Sequence, residues 1–170
     1  MSVENLKLQE VVSVFIRSNN GSYLLQLRDK KPSIAFPGHW GLFGGAIENG
    51  ESVCEAASRE LEEEIKIVAA SEDIHEGRQY IQSNYRVHTC FYDLKIPLSK
   101  GSLQEGMDLG FFPINKILKG KLFSQKFNAY FPIADPVIGY FNELWQLLIV
   151  VVLSCFLTGL RCDKETNGTH

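Results

Sequence analysis

Short runs of apolar and β-branched residues open the chain and predict strands. Residues 11–17 (VVSVFIR) and 23–28 (YLLQLR) have this composition. They are joined by residues 18–22, whose asparagine and glycine tolerate positive φ, so the two runs are predicted to form a hairpin. Residues 29–40 carry two prolines and a glycine and predict an irregular loop. A short strand is predicted at residues 41–43.

The spacing of apolar positions changes after residue 50 and predicts a helix over residues 51–65. In this segment apolar side chains recur three or four positions apart, which gives an amphipathic helix one buried stripe. The stripe consists of Val53, Cys54, Ala57, Leu61 and Ile65.

The second half of the chain returns to strand composition and then to helix. Residues 85–96 are rich in aromatic and β-branched residues and predict a central strand, and residues 111–112 predict a short one. Residues 123–131 and 135–148 are predicted to be helical. Strands, one helix, more strands and C-terminal helices together indicate an α/β fold with a mixed β-sheet and helices packed on it.

Composition and charge narrow the function classes. The 170 residues are 45% hydrophobic and 22% charged, as expected for one folded domain. The net charge is −3 and the basic residues are scattered, so no long nucleic acid is expected as a partner. The four cysteines lack a CxxC pair, which argues against a zinc site. No secretory signal is evident at the N-terminus, so a cytoplasmic protein is expected.

One face of the predicted helix is acidic. Glu60, Glu63 and Glu64 lie at positions i, i+3 and i+4, which places their carboxylates together. Like charges there repel each other, and a hard divalent cation would turn the repulsion into binding, because Mg²⁺ prefers oxygen ligands. Arg59 can orient these acids by bidentate pairing. The preceding Gly44-Gly45 pair permits a tight turn whose backbone can approach a metal or a phosphate.

This stretch resembles the Nudix box, G-x5-E-x7-R-E-U-x-E-E-x-G-U, where U is a bulky aliphatic residue. The matching positions are Gly45, Glu51, Arg59, Glu60, Leu61, Glu63, Glu64 and Ile67. The one departure is Lys66, where the family usually has a glycine that ends the helix in a left-handed conformation. The resemblance extends over roughly residues 8–142 and implies the Nudix α/β/α sandwich.

The resemblance also implies roles for the acids. Glu60 and Glu64 are expected to be the chief ligands of Mg²⁺ (or Mn²⁺), with Glu63 and the Gly45 carbonyl completing the set. The general base varies within the family, and Glu63 and Glu105 are the two candidates here. Arg59 is expected to support catalysis by holding the carboxylates.

The substrate implied by the resemblance is a nucleoside-diphosphate derivative: a nucleotide sugar, a dinucleoside polyphosphate or a dNTP. Arg28 is a candidate phosphate contact, and Phe36 can stack on a base. Tyr85 lies near the position where dinucleoside-polyphosphate hydrolases have a tyrosine. Trp40 can also stack on a base, but it is expected in the core. The alternative function is a non-catalytic module of the same fold that senses a nucleotide or binds a partner.

The longest apolar run is at residues 144–160, with no charged residue between Glu143 and Arg161. As a helix it would reach about 25 Å, slightly less than a hydrocarbon core of ~30 Å. Two interpretations stay open: a membrane tether for a cytoplasmic enzyme, and a final element buried against the domain. The predicted division is a Nudix domain at 1–142 and an apolar segment with a polar tail at 143–170. An exposed apolar patch would also permit an oligomer.

Overall fold

The computed structural model describes residues 8–95, 98 and 103–158, and their side chains as far as residue 150. A 3₁₀ turn at Ser71–Asp73 precedes the fourth strand. The other elements, in chain order, are β1 (Gln9–Arg17), β2 (Tyr23–Leu27), β3 (Trp40–Gly41), α1 (Val53–Ile65), β4 (Ile74–Gln82), β5 (Tyr85–Asp93), β6 (Asp108–Phe112), α2 (Ile114–Ile117), β7 (Lys121–Ser124), β8 (Ala129–Pro132) and α3 (Asp135–Thr158).

The main sheet is mixed, as predicted. Its strand order is β3-β2-β1-β5-β4. Strand β6 also pairs with β2, along all five of its residues. Strands β1 and β5 run parallel in continuous register from Gln9 opposite Tyr85 to Arg17 opposite Asp93. The remaining pairs in this sheet are antiparallel, including the predicted β1–β2 hairpin.

Helices cover both faces of the sheet and create two cores. On one face, α1 packs Ala57, Leu61 and Ile65 against Val14 and Cys90 of the sheet. On the other face, α2, α3 and the β7–β8 hairpin pack on the opposite side chains of the same strands. The α/β/α sandwich predicted from the sequence is therefore confirmed.

Trp40 belongs to the second core. Its side chain is 0% exposed, and its indole N–H donates to the carbonyl of Leu122 at 3.2 Å. Its ring meets Phe112 edge to face, with the ring centroids 5.0 Å apart. The expected core position of Trp40 is thus confirmed, and the ring is not available to stack on a base.

The helix predicted at residues 123–131 is wrong, because this segment forms the antiparallel β7–β8 hairpin. Leu122 and Ser124 are buried while Lys121 and Phe123 are exposed, an alternation with the period of a strand. Asn128 adopts a φ of 48° in the turn, a conformation that asparagine tolerates better than most residues. Strand β4 was not predicted, because its mostly exposed side chains lack an apolar pattern.

Helix α1 begins and ends with defined caps. Ser52 and Glu55 form a capping box: the Ser52 hydroxyl accepts from the Glu55 amide, and the Glu55 carboxylate accepts from the Ser52 amide. At the other end Lys66 adopts the left-handed conformation, with φ 56° and ψ 31°. The lysine therefore keeps the geometry of the family's glycine, and it carries the strain that a Cβ atom creates there.

A Lys66→Gly substitution is expected to increase the free energy of unfolding, because glycine has no Cβ atom to clash in the left-handed conformation. We expect Lys66→Gly to be more stable than Lys66→Ala by about 1 kcal/mol. The alanine variant is the control, since it also removes the lysine charge from the helix end. Urea denaturation of the three proteins measures the difference, and equal stability of the glycine and alanine variants would contradict this explanation.

Helix α3 continues past the predicted domain boundary at residue 142 without a break. Beyond Leu144 its apolar side chains are exposed as far as they are described, from 39% at Trp145 to 63% at Val150. The alternative of a final element buried against the domain is therefore wrong for residues 145–150. In the described part of the chain, no helix is long and apolar enough to span a bilayer. The division into residues 1–142 and 143–170, the tether and the oligomer stay predictions.

Candidate active site

The acidic face of α1 packs against the Gly44–Gly45 turn. This turn is held next to β1, because the Val12 amide donates to the Gly45 carbonyl at 2.9 Å and the Val14 amide donates to that of Phe43 at 2.8 Å. Gly44 has a φ of 136°, and a Cβ atom there would collide with the Val12 carbonyl. A Cβ atom at Gly45 would collide with the Glu60 carboxylate. Both glycines therefore allow the turn to approach its neighbours closely.

Glu64 is the most deeply buried of the acids. One carboxylate oxygen accepts from the Gly44 amide at 3.1 Å, and the other accepts from the Gln26 side chain at 3.1 Å. Burial raises the pKa of the Glu64 carboxyl to about 7, although these two hydrogen bonds oppose the shift. Two donors thus fix both oxygens of Glu64 beside the turn.

Glu60 lies between the turn and Arg59. Burial raises the pKa of its carboxyl above the ordinary value, and the hydrogen bond from Arg59 partly opposes this shift. The charges of Glu63 and Glu105 also raise the pKa of the Glu60 carboxyl.

Arg59 connects four groups around the acidic face. Its guanidinium donates to both oxygens of Glu51 at 2.8 and 3.1 Å, to Glu60 at 2.8 Å, to Glu63 at 3.3 Å and to the Ala46 carbonyl at 2.8 Å. The hydrogen bond from Arg59 is the largest cause of the lowered pKa of Glu51. The structure therefore forms the pairing of arginine and carboxylates that the spacing predicts.

Glu105 reaches the site on a loop that docks at the end of α1. The amides of Gln104 and Glu105 donate to the Glu64 carbonyl at 2.8 and 3.5 Å. A small cavity of about 70 Å³ next to this loop is lined by Gln26, Arg28, Glu64 and Glu105, among others. The fold therefore brings Glu64 and Glu105 together, although they are about 40 positions apart in the chain.

The donors of this site suit a hard divalent cation. Carboxylates and one backbone carbonyl offer only oxygen atoms, the ligands preferred by Mg²⁺ and Mn²⁺. Within the described ranges, no three His, Cys, Asp or Glu side chains form a group that could hold an ion. Arg59 holds Glu60 and Glu63, and Glu64 faces Gln26 and Gly44. A cation at this face would therefore compete with Arg59 for two of the carboxylates.

A cleft of about 420 Å³ begins at the glycine turn and is large enough for part of a nucleotide. Arg28, Phe36 and Tyr85, the three predicted substrate contacts, all line it together with Gly45. Arg28 also lines the small cavity beside Glu64, and its Nε donates to the Ala35 carbonyl at 2.8 Å. The structure thus gathers these side chains around one cleft, which the acidic helix meets at the glycine turn.

Two contacts of the site were not predicted from the sequence. Gln26 lies in β2, where all five residues are buried, and an amide in such an apolar strand is the signal that could have identified it. Gln82 and Tyr140 line the cleft, and the Tyr140 hydroxyl donates to the Gln82 side-chain oxygen at 3.2 Å. No local pattern links a strand end to a helix 58 positions later.

The fold and the site define a mixed α/β sandwich in which an acidic helix packs against a glycine turn that also lines a cleft. The chain matches the family model of the NUDIX domain over residues 7–130, and it belongs to the Nudix hydrolase family. Nudix hydrolases generally use a divalent metal ion.

Relatives and solved structures agree with this assignment. A nucleoside triphosphatase NudI from Salmonella paratyphi B is 35% identical over 88 residues, which are 51% of this chain and 53% of that relative. The chain spans only a third to about half of the length of such relatives.

Among solved structures, the E. coli ORF135 protein has 25% identity and a TM-score of 0.58, covering 86% of this chain and 95% of that one. The NUDIX domain of Shewanella oneidensis NrtR, solved with ADP ribose, has 18% identity and a TM-score of 0.59, covering 83% and 88%.

Proposed function

We propose that this protein is a Mg²⁺-dependent hydrolase that cleaves a diphosphate linkage in a nucleoside-diphosphate derivative. The observation that carries the proposal is the packing of Glu60 and Glu64 against the Gly44–Gly45 turn, which also lines a cleft large enough for part of a nucleotide. Among the possible substrates we favour nucleoside triphosphates, because the relatives of this chain are nucleoside triphosphatases.

The carboxylates and the turn carry out the binding part of this reaction. Glu60, Glu63, Glu64 and the Gly45 carbonyl would hold the ion, which when bound neutralises the diphosphate and makes a water molecule more acidic. Arg59 keeps Glu60 oriented toward the turn. Arg28, at the border of the cleft and the small cavity, is placed to contact a phosphate of the substrate.

Of the two candidates for the general base, Glu105 is favoured by its surroundings. The base must accept a proton from the attacking water, so its carboxylate has to be available. The Glu63 carboxylate is paired with Arg59 at 3.3 Å. Glu105 instead lines the cavity that it shares with Glu64 and Arg28. We therefore assign proton transfer to Glu105, and Glu63 would bind the ion in place of its ion pair with Arg59.

The nucleoside would occupy the cleft. Phe36 and Tyr85 supply aromatic surface for a base, and Phe36 holds a φ of 53° that is unusual for a bulky residue. The Tyr140 hydroxyl donates a hydrogen bond to the side-chain oxygen of Gln82, so the side-chain NH₂ group of Gln82 is left to donate to a ligand. Such a donor suits the carbonyl oxygens of a base.

A substrate panel tests the proposal. The full chain would be assayed with Mg²⁺ or Mn²⁺ against nucleoside triphosphates, dinucleoside polyphosphates and nucleoside-diphosphate sugars including ADP-ribose, with phosphate and nucleotide release as the readout. We expect turnover that a chelator abolishes, and the fastest substrate identifies the class. A folded protein that binds the ion but cleaves none of these compounds would instead favour the nucleotide-sensing or partner-binding module.

A further inference from the structure

The segment between Asp108 and Asp135 has an unusual charge for this chain. It contains Lys116, Lys119, Lys121 and Lys126 and no acidic residue, although the whole chain has a net charge of −3. All four lysines are exposed. The basic residues that look scattered over the sequence therefore include one uninterrupted basic segment, which the fold turns into α2 and the β7–β8 hairpin.

Aromatic rings stand among these lysines. Phe123 and Tyr130 are paired across the hairpin with their centroids 5.2 Å apart, and Tyr130 is 65% exposed. Lys121 lies over the Tyr130 ring at 5.5 Å. At the turn, Lys126 lies over the exposed Phe127 ring at 5.6 Å. We call these five residues the hairpin surface.

Exposure of aromatic rings to water is unfavourable, and covering them with a flat partner lowers the free energy. Lysines next to them supply the positive charge that a phosphate backbone requires. Aromatic side chains flanked by cations form the usual platform for unpaired bases, whose faces stack on the rings while their phosphates contact the cations. The chemistry of the hairpin surface thus matches a single strand, whose bases are free to stack.

The hairpin surface is continuous with the loops around the candidate active site. Lys126 donates to the Met107 carbonyl at 2.6 Å, two residues after Glu105. On the other side, Lys30 of the loop that carries Phe36 lies over the ring of Phe131 in β8, at 5.4 Å. The exposed rings favour nucleic acid over an anionic membrane as the occupant, because unpaired bases offer flat faces that stack on them.

We infer that the hairpin surface binds short single-stranded nucleic acid through ring stacking and lysine–phosphate contacts. This binding is separate from hydrolysis, so it stands or falls independently of the proposed function. The net negative charge still argues against a long duplex, which would need a larger basic face.

Binding can be measured without catalysis. The probe is a short fluorescein-labelled oligothymidylate without a 5′-phosphate, titrated with the full chain in EDTA at low salt and followed by fluorescence anisotropy. We expect saturable binding that weakens steeply as salt is added. The double variant Phe123→Leu, Tyr130→Leu should bind about tenfold more weakly or worse. For Lys121→Gln, Lys126→Gln, the slope of log K against log salt should be smaller by about 1.4.

Lys95→Gln is the control, because Lys95 is an exposed lysine at the end of β5, paired with Asp73 instead of an aromatic ring. It should bind the oligonucleotide like the wild type. Thermal melting checks that each variant is folded, and the lysine variants keep the test valid if the aromatic pair proves unstable. Absence of binding at low salt, or binding unchanged in both double variants, overturns the inference. So does binding to phosphatidylserine vesicles without binding to the oligonucleotide, which would identify a membrane surface instead.

Discussion

Glutamine in place of Glu60 or Glu64 is expected to reduce kcat/KM for the best substrate by about a thousandfold, on the order of 4 kcal/mol of transition-state stabilisation. Each substitution keeps the size of the side chain and removes its negative charge. The loss arises because these two carboxylates lie against the glycine turn, where an ion would contact both the enzyme and the diphosphate. Steady-state kinetics over a range of Mg²⁺ concentrations measure it, and the ion requirement should rise together with the loss of rate.

The same helix offers a matched control. Glu62 lies between Glu60 and Glu63 in the sequence of α1, but its side chain is exposed. Glu62→Gln therefore makes the same chemical change away from the glycine turn. It should leave kcat/KM within about twofold of the wild type. For Glu105→Gln, we expect a lower kcat with an unchanged ion requirement, as befits a base. Equal losses in the Glu62 and Glu64 variants would show that the turn side of the helix has no special role.

The acidic helix could be predicted from the sequence because its determinants are local. The spacing of Leu61 and Ile65 defines the buried stripe, and the three glutamates follow on the adjacent face. Even the departure at Lys66 did not alter the backbone, because the hydrogen bonds of the helix end outweigh the strain of one left-handed lysine. An element whose pattern is carried by neighbours along the chain can thus be predicted from its own residues.

The hairpin at residues 123–131 shows the opposite case. Its length and mixed composition are also compatible with a helix, and its strand alternation covers only four residues on each side of the turn. One contact that holds this hairpin to the rest of the fold is distant in sequence: the Leu122 carbonyl accepts from the Trp40 indole, 82 positions earlier. Gln26 was missed for the same reason, since its partner Glu64 is 38 positions away. Such pairs depend on the topology of the sheet and leave no local signature.

The stability of the ion-free protein is expected to fall as the pH rises from about 4.5 to about 7, because of Glu64. Burial raises the pKa of this carboxyl from 4.5 to about 7 in the folded state. In this window the unfolded chain releases the proton and the folded protein keeps it, so deprotonation favours unfolding. The total is about 3 kcal/mol, reached near neutral pH and constant above it.

Glu64→Gln isolates this contribution, because its amide cannot ionise and its oxygen can still accept from the Gly44 amide, while Gln26 can turn its own oxygen toward the new donor. The free energy of unfolding, measured with urea in EDTA at several pH values, should show the variant gaining on the wild type by about 3 kcal/mol between pH 4.5 and 7.5. Parallel pH profiles would mean that Glu64 ionises normally. Mg²⁺ should reduce the difference above pH 7, since a bound cation stabilises the ionised wild-type carboxylate and gains nothing comparable from glutamine. The burial that destabilises the ion-free site is therefore what would make it respond to the ion.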